Sequence, residues 1–248
     1  SHCLFISESS FDQLPSHYFF PMSSYLIGID VGTSSAKAVL IDESGVVLDT
    51  VAPEYEFQTP HPLWAEADPA DWWDATVQAV RSLLEKVNAS EVAGVGLTGQ
   101  MHGMVALNGS GEVLRPCIMW NDQRTALQCE AITNRVGSEK VIRLTGNPVL
   151  PGFTAPKIAW TRENEPETFA AIDKILLPKD YVRYKLTGEF FTDVSDASGT
   201  SLLDVENRRW SDEMLAALEI PSSWMPEVTE SPVASSRICA EAATATGL

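Results

Sequence analysis

Residues 25–41, Tyr-Leu-Ile-Gly-Ile-Asp-Val-Gly-Thr-Ser-Ser-Ala-Lys-Ala-Val-Leu-Ile, constrain this chain more than any other stretch. An apolar segment ends in a carboxylate, Asp30, and a short turn crowded with hydroxyls leads into a second apolar segment. Two apolar runs around a Gly-containing turn predict a β-hairpin. Gly32 lets the backbone turn tightly and approach a ligand closely. Successive free N–H groups in such a turn form an anion-binding nest, to which Thr33, Ser34 and Ser35 add hydroxyl donors. Asp30 offers the oxygen that a magnesium ion, or a water bound to it, requires. No Gly-Lys-Ser/Thr follows a strand and opens a helix, so this is not a Walker loop. An ordinary hairpin with a polar turn is the alternative that the stretch alone leaves open.

The rest of the chain bounds the partners. With 248 residues it can form one large domain or two small ones around a substantial core. A formal charge of −17 argues against nucleic acid and anionic membrane surfaces, both of which need clustered Lys and Arg. Phosphate must then be held by local amides, hydroxyls and a metal ion, because the overall field repels anions. Cys3, Cys117, Cys129 and Cys239 are far apart and form no Cys-x-x-Cys pair, which suits reduced thiols in a cytoplasmic protein. No apolar run approaches the length of a membrane span. Residues 1–21 are aperiodic and precede Met22, so they read as a non-native or disordered extension, with the folded domain over residues 22–248.

Along the chain, residues 46–55 continue the hairpin as a third strand. Asp68-Pro69 caps a helix over residues 69–87, with Trp72, Ala75, Thr76, Ala79, Leu83 and Val87 toward the sheet. Residues 92–97 read as a buried strand, and residues 104–107 with 113–114 as a hairpin around Asn108-Gly109-Ser110-Gly111. Helices are expected over residues 123–135, 156–163, 178–186, 211–218 and 238–246, and a strand over residues 174–177. The mixture gives an α/β class and one compact domain.

Two polar clusters follow apolar runs. Thr98-Gly99-Gln100-Met101-His102-Gly103 emerges at a strand's carboxyl end, where α/β folds place ligands. Trp120-Asn121-Asp122-Gln123-Arg124 follows a second such run. Together these side chains can donate to and accept from several hydroxyls, as a polyol requires. Taken singly, His102 reads as a structural histidine and Trp120 as a core residue.

The hairpin is similar to the first phosphate hairpin of the actin-like ATPases. From Tyr25 onward the chain resembles the FGGY carbohydrate kinases, and most of all their xylulose-phosphorylating branch. The resemblance rests on residues 60–64 (Pro-His-Pro-Leu-Trp), 99–103 (Gly-Gln-Met-His-Gly), 120–122 (Trp-Asn-Asp), 151–157 (Pro-Gly-Phe-Thr-Ala-Pro-Lys), 177–181 (Leu-Pro-Lys-Asp-Tyr) and 193–200 (Asp-Val-Ser-Asp-Ala-Ser-Gly-Thr). It implies a ribonuclease-H-like (actin-like ATPase) domain with a mixed sheet and flanking helices. It also implies ATP and Mg2+ as cofactors and D-xylulose as the substrate. By the same resemblance, Asp30 is catalytic and helps to hold the metal, and Gly32, Thr33, Ser34 and Lys37 cradle phosphate. Gln100, Met101 and His102 bind the sugar, and Asp122 and Phe153 line its cleft. A homodimer is a possible assembly. Ribulose, fuculose and gluconate are alternative substrates. A non-catalytic actin-like module is the rival reading, and it leaves the Gln-Met-His triplet unexplained. The family's catalytic base is an Asp in a Gly-Gly-Gly-Asp-Asn-type segment that this chain does not contain. The resemblance therefore implies that the base and the nucleotide-binding domain lie beyond Leu248, and that residues 22–248 alone are inactive.

Overall fold

The computed structural model describes residues 24–248; the expected extension over residues 1–21 lies outside them. The hairpin forms as β1 (Tyr25–Val31) and β2 (Ala36–Asp42), paired antiparallel from Tyr25↔Asp42 to Val31↔Ala36. β3 (Val47–Val51) adds antiparallel to β2, shorter than the expected run over 46–55. After a two-residue β4 (Glu66–Ala67), α1 (Pro69–Leu83) starts where its cap predicts, with the Asp68 carboxylate accepting from Ala70 N–H. β5 (Val92–Gly99) then returns parallel to β1, giving a mixed sheet in the order β3-β2-β1-β5.

This sheet is two-faced. Ile27, Ile29, Val31, Ala38 and Leu40 are buried on one side under α1, where Trp72, Ala79 and Leu83 also lose all contact with solvent. Leu26, Gly28, Asp30 and Lys37 lie exposed on the other. β5 is accordingly half-covered rather than the fully buried strand expected, with Ala93, Gly96 and Thr98 exposed.

Next come β6 (Val105–Leu107), β7 (Cys117–Ile118), α2 (Ala126–Val136), α3 (Ser138–Thr145), α4 (Thr154–Asn164) and α5 (Pro166–Ala171). They are followed by β8 (Lys174–Leu176), α6 (Pro178–Thr187), β9 (Phe191–Asp193) and α7 (Val194–Ala197). The last elements are β10 (Leu203–Asp204), β11 (Arg209–Trp210), α8 (Asp212–Leu218), β12 (Glu227–Thr229) and α9 (Ala240–Thr246). The expected hairpin at 104–114 forms in short, through the Leu107↔Val113 bridge with Asn108 N–H donating to Glu112 O and Leu114 N–H to Ala106 O, while the other edge of β6 pairs with distant β8. Helices α3, α5 and α7 were not expected.

The described residues hold two hydrophobic cores where one was expected. The first joins the sheet to α1, α6 and Ala242 of α9. The second packs Ile132, Ile158, Trp160, Leu202, Met214 and Leu215 among α2, α4 and α8. Segments that run between the two cores carry the polar clusters.

Candidate functional site

The hairpin turn is built to leave donors free. Gly32 N–H is engaged inside the turn, donating to Ser35 O at 2.9 Å, so it is not one of them. The glycine is needed because a β-carbon there would sit 3.0 Å from that same oxygen. Thr33 and Ser34 N–H have no acceptor among the described residues. Asp30 and Lys37 face each other across the ladder, both exposed, with Thr98 beside Asp30 on β5. Neither charge has an ion-pair partner among the described residues. A carboxylate and an ammonium paired across the strands, with the hydroxyls and free amides of the turn beyond them, suit a magnesium-bound phosphate.

Two side chains fix the turn from behind. Tyr55 OH donates to Gly32 O at 2.7 Å, and Gln100 Nε2 donates to the same oxygen at 3.0 Å. Burial and the charge of Asp30 raise the Tyr55 pKa well above its usual value, so the phenol keeps its proton and donates. Trp120 Nε1 donates to Thr33 Oγ1 at 3.1 Å. Trp120 is 43% exposed and roofs the turn instead of joining the core, as its type had suggested. Gln100 thus contacts the hairpin; its Oε1 is buried without a partner, the one atom of the side chain left for a ligand.

The sugar-side cluster follows β5 directly. Met101 is exposed, and His102 takes a left-handed backbone with φ 64°. Its ring lies 4.4 Å from the Phe153 ring, tilted by 31°. His102 Nδ1 is 2.7 Å from Gly199 O. A carbonyl can only accept, so the proton sits on Nδ1 and Nε2 is left as an acceptor. Burial pushes the His102 pKa down to about 4, aided by the charge of nearby Lys157 and opposed by the Gly199 bond. The ring is therefore neutral at pH 7. Gly199 is fixed by this contact, since a β-carbon would meet the imidazole at 2.4 Å.

Gly199 follows α7, which is anchored by Lys179. The Lys179 amine lies 2.5 Å from Asp180, 2.9 Å from Asp193 and 3.3 Å from Asp196. Burial opposes the charge of Lys179, but the three carboxylates raise its pKa overall. Asp193 also caps α7, accepting from Ser195 and Asp196 N–H. These roles are invisible in the sequence, where Lys179 and Asp193 read only as parts of motifs.

Asp122 departs from the expected role of lining the cleft. It is fully buried, and its oxygens accept from Ala65 N–H at 2.7 Å and from the Arg124 backbone and guanidinium. Arg124 in turn lies 3.6 Å over the Trp64 ring and pairs with Glu66 at 2.7 Å. A carboxylate so fully engaged organises the loop and has little capacity left for a sugar hydroxyl. An open cleft of about 570 Å³ flanks this network, bounded by residues 59–65, Asn121 and Gln123.

The described residues contain no cluster of three or more acidic, His or Cys side chains fit to cage a metal. The single exposed carboxylate at the hairpin, Asp30, fits magnesium arriving with phosphates, which needs one or two carboxylates and keeps several waters. Cys117, Cys129 and Cys239 are free thiols, and burial pushes Cys117 up to about 12. No helix among the described residues is long and apolar enough to cross a membrane.

Comparison with known proteins agrees with this geometry. The FGGY family of carbohydrate kinases, N-terminal domain, matches residues 25–248. The xylulose kinase of Escherichia coli (strain K12) is 46% identical over 222 residues, which are 90% of this chain and 46% of that protein. The xylulose kinase of Klebsiella pneumoniae is 47% identical over 204 residues, 82% of this chain and 42% of that protein. A solved structure of a xyloylose kinase from Brucella ovis matches with a TM-score of 0.83 at 43% identity, covering 88% of this chain and 46% of that one. The chain spans a little under half the length of these relatives.

Proposed function

The chain belongs to the FGGY family of carbohydrate kinases, and on that premise we propose that the protein containing it transfers the γ-phosphoryl group of ATP to D-xylulose. The product is D-xylulose 5-phosphate, and this chain supplies the sugar recess and the first phosphate hairpin. The observation that carries the reading is His102: a neutral imidazole with Nδ1–H committed to Gly199 O, Nε2 free to accept, and the ring against Phe153. Such an acceptor beside an aromatic face suits a hydroxyl and an adjoining C–H surface of a small polyol.

Gln100 joins this recess to the hairpin, so that sugar and phosphate meet across one residue. Asp30 would hold magnesium, which would supply neutralisation of charge on the phosphates. Thr33 and Ser34 amides and hydroxyls, with Lys37, receive the phosphoryl oxygens. Phosphoryl transfer depends mostly on positioning and charge stabilisation, which is what such donors provide. The proton acceptor for the attacking sugar hydroxyl belongs to the remainder of the protein, as does the adenosine pocket. Residues 22–248 alone bind D-xylulose weakly and transfer nothing, in this reading, and the protein works in the cytoplasm.

The test is ketose-dependent ADP release by the full-length protein over a panel of D-xylulose, ribulose, fuculose and gluconate. D-xylulose should give the highest kcat/KM. Preference for another sugar would reassign the substrate, and no sugar-dependent release would remove the kinase reading.

A further inference from the structure

Lys157 is fully buried on the first turn of α4, and no carboxylate pairs with it among the described residues. Its amine donates to His102 O at 2.8 Å and to Gly152 O at 2.6 Å. Those two carbonyls belong to the two loops that carry the facing rings of the recess, His102 and Phe153. Thr154 Oγ1 donates to the same His102 oxygen at 3.1 Å. A left-handed conformation at a non-glycine residue persists only where its surroundings over-determine it. At His102 these two donors hold the carbonyl, while Gly199 O and the Phe153 ring hold the imidazole.

We propose that Lys157 is a positioning residue for the sugar recess, holding His102 and Gly152 at one nitrogen and so fixing the imidazole against the Phe153 ring. It rests on the reading of that recess as the sugar site. Lys157 acts through the two hydrogen bonds it donates, to His102 O and to Gly152 O. The positive end of α4 and the surrounding apolar packing both disfavour an ammonium there. Burial pushes its pKa down to about 7, with Cys117 and Asp122 raising it slightly and Arg124 lowering it. The other titratable group facing it is His102. The geometry is close on every side: a β-carbon at Gly152 would sit 2.7 Å from Trp120 O.

The experiment uses the full-length protein with Lys157→Met, which keeps the aliphatic stem and removes the donors, and Thr154→Val, which is nearly isosteric. D-xylulose and magnesium-ATP affinities are measured separately by calorimetry, and the His102 imidazole is followed by nitrogen NMR. Lys157→Met should raise the D-xylulose Kd by about tenfold or more and shift the His102 signals, with the nucleotide Kd within about twofold. Thr154→Val should act in the same direction by about threefold. A folded Lys157→Met protein with unshifted His102 signals and wild-type sugar affinity would overturn the proposal. If that variant does not fold, Thr154→Val decides by the same two readings. Failure of the wild-type protein to bind any ketopentose would instead sink the substrate reading, and the His102 signals would still decide the role of Lys157.

Discussion

The phosphate hairpin takes Asp30, Thr33, Ser34 and Lys37 from one short stretch and leaves most of their polar atoms without internal partners. The sugar recess takes His102, Phe153, Lys157 and Gly199 from distant segments and engages its polar atoms largely with one another. On the proposed function, the difference follows from the ligands. A phosphate brings charge and needs free donors, so a turn with unengaged N–H groups suffices, held from outside at Gly32 O, Ser34 O and Thr33 Oγ1. A neutral sugar brings shape, so its site must be rigid before it arrives, and rigidity comes from internal hydrogen bonds. Loss of a residue from the hairpin should therefore act on turnover, and loss of one from the network behind the recess on stability.

Asp122→Ala tests that division most severely. It leaves the buried Arg124 guanidinium with Glu66 alone and the Ala65 N–H without its acceptor, and should lower folding stability by about 3–5 kcal/mol, read as a shift in the denaturant midpoint. A loss below about 1 kcal/mol would break the comparison. Asp30→Asn is the counterpart: stability should hold within about 0.5 kcal/mol, because the exposed carboxylate has no internal partner. Full-length kcat should fall by about 10²–10³-fold while sugar affinity is retained. Equal losses in kcat and sugar affinity would mean that hairpin and recess are not separable.

His102→Ala should cost about 1.5–3 kcal/mol in kcat/KM for D-xylulose, since a buried hydroxyl would lose its acceptor. The pH profile sharpens this. With its pKa pushed down to about 4, His102 itself stays neutral from pH 6 to 8, and any change of sugar affinity in that window belongs to Lys157, whose pKa lies at about 7. Protonation of Nε2 at lower pH turns the acceptor into a donor, so affinity should fall as pH approaches 4. Stability follows the same sign: between pH 6.5 and 4 the unfolded histidine binds more protons than the folded one, so this group removes stability as pH falls through that window. The smallest effect belongs to the bridge between the regions. Trp120→Phe removes one bond to Thr33 Oγ1 at a partly exposed site and should cost about 0.5–1.5 kcal/mol in transition-state stabilisation, with stability unchanged.

The two regions also differ in how readable they were. The hairpin and α1 were legible because their signals are local: a polar Gly turn between apolar runs, and Asp68-Pro69 before a helical period. The recess was legible only as motifs. Nothing in the sequence marks Asp122 as fully engaged inward, because a carboxylate in a polar cluster reads as solvent- or ligand-facing until Ala65 and Arg124 are brought to it. Lys157 is harder still, since lysines in helices ordinarily face water. The short hairpin at 104–114 was legible from its Asn-Gly turn, whereas the pairing of the other edge of β6 with β8 joins segments far apart in the chain and had no local signal. Helix α3 had a signal that could have found it: Gly146 stands just past Thr145 with a left-handed φ of 73°, where a helix stop places glycine.

Gly199 carries a consequence for how variation in this protein would be scored. Its backbone is ordinary, so alanine fits the local conformation, and the clash falls on the far end of the His102 side chain. The imidazole can swing aside without unfolding anything. A survey that ranks variants by cellular abundance would pass an alanine at this position as harmless, while a growth assay on the sugar would reject it. The position thus separates selection for being folded from selection for being useful, at a residue whose missing side chain is the space the imidazole occupies.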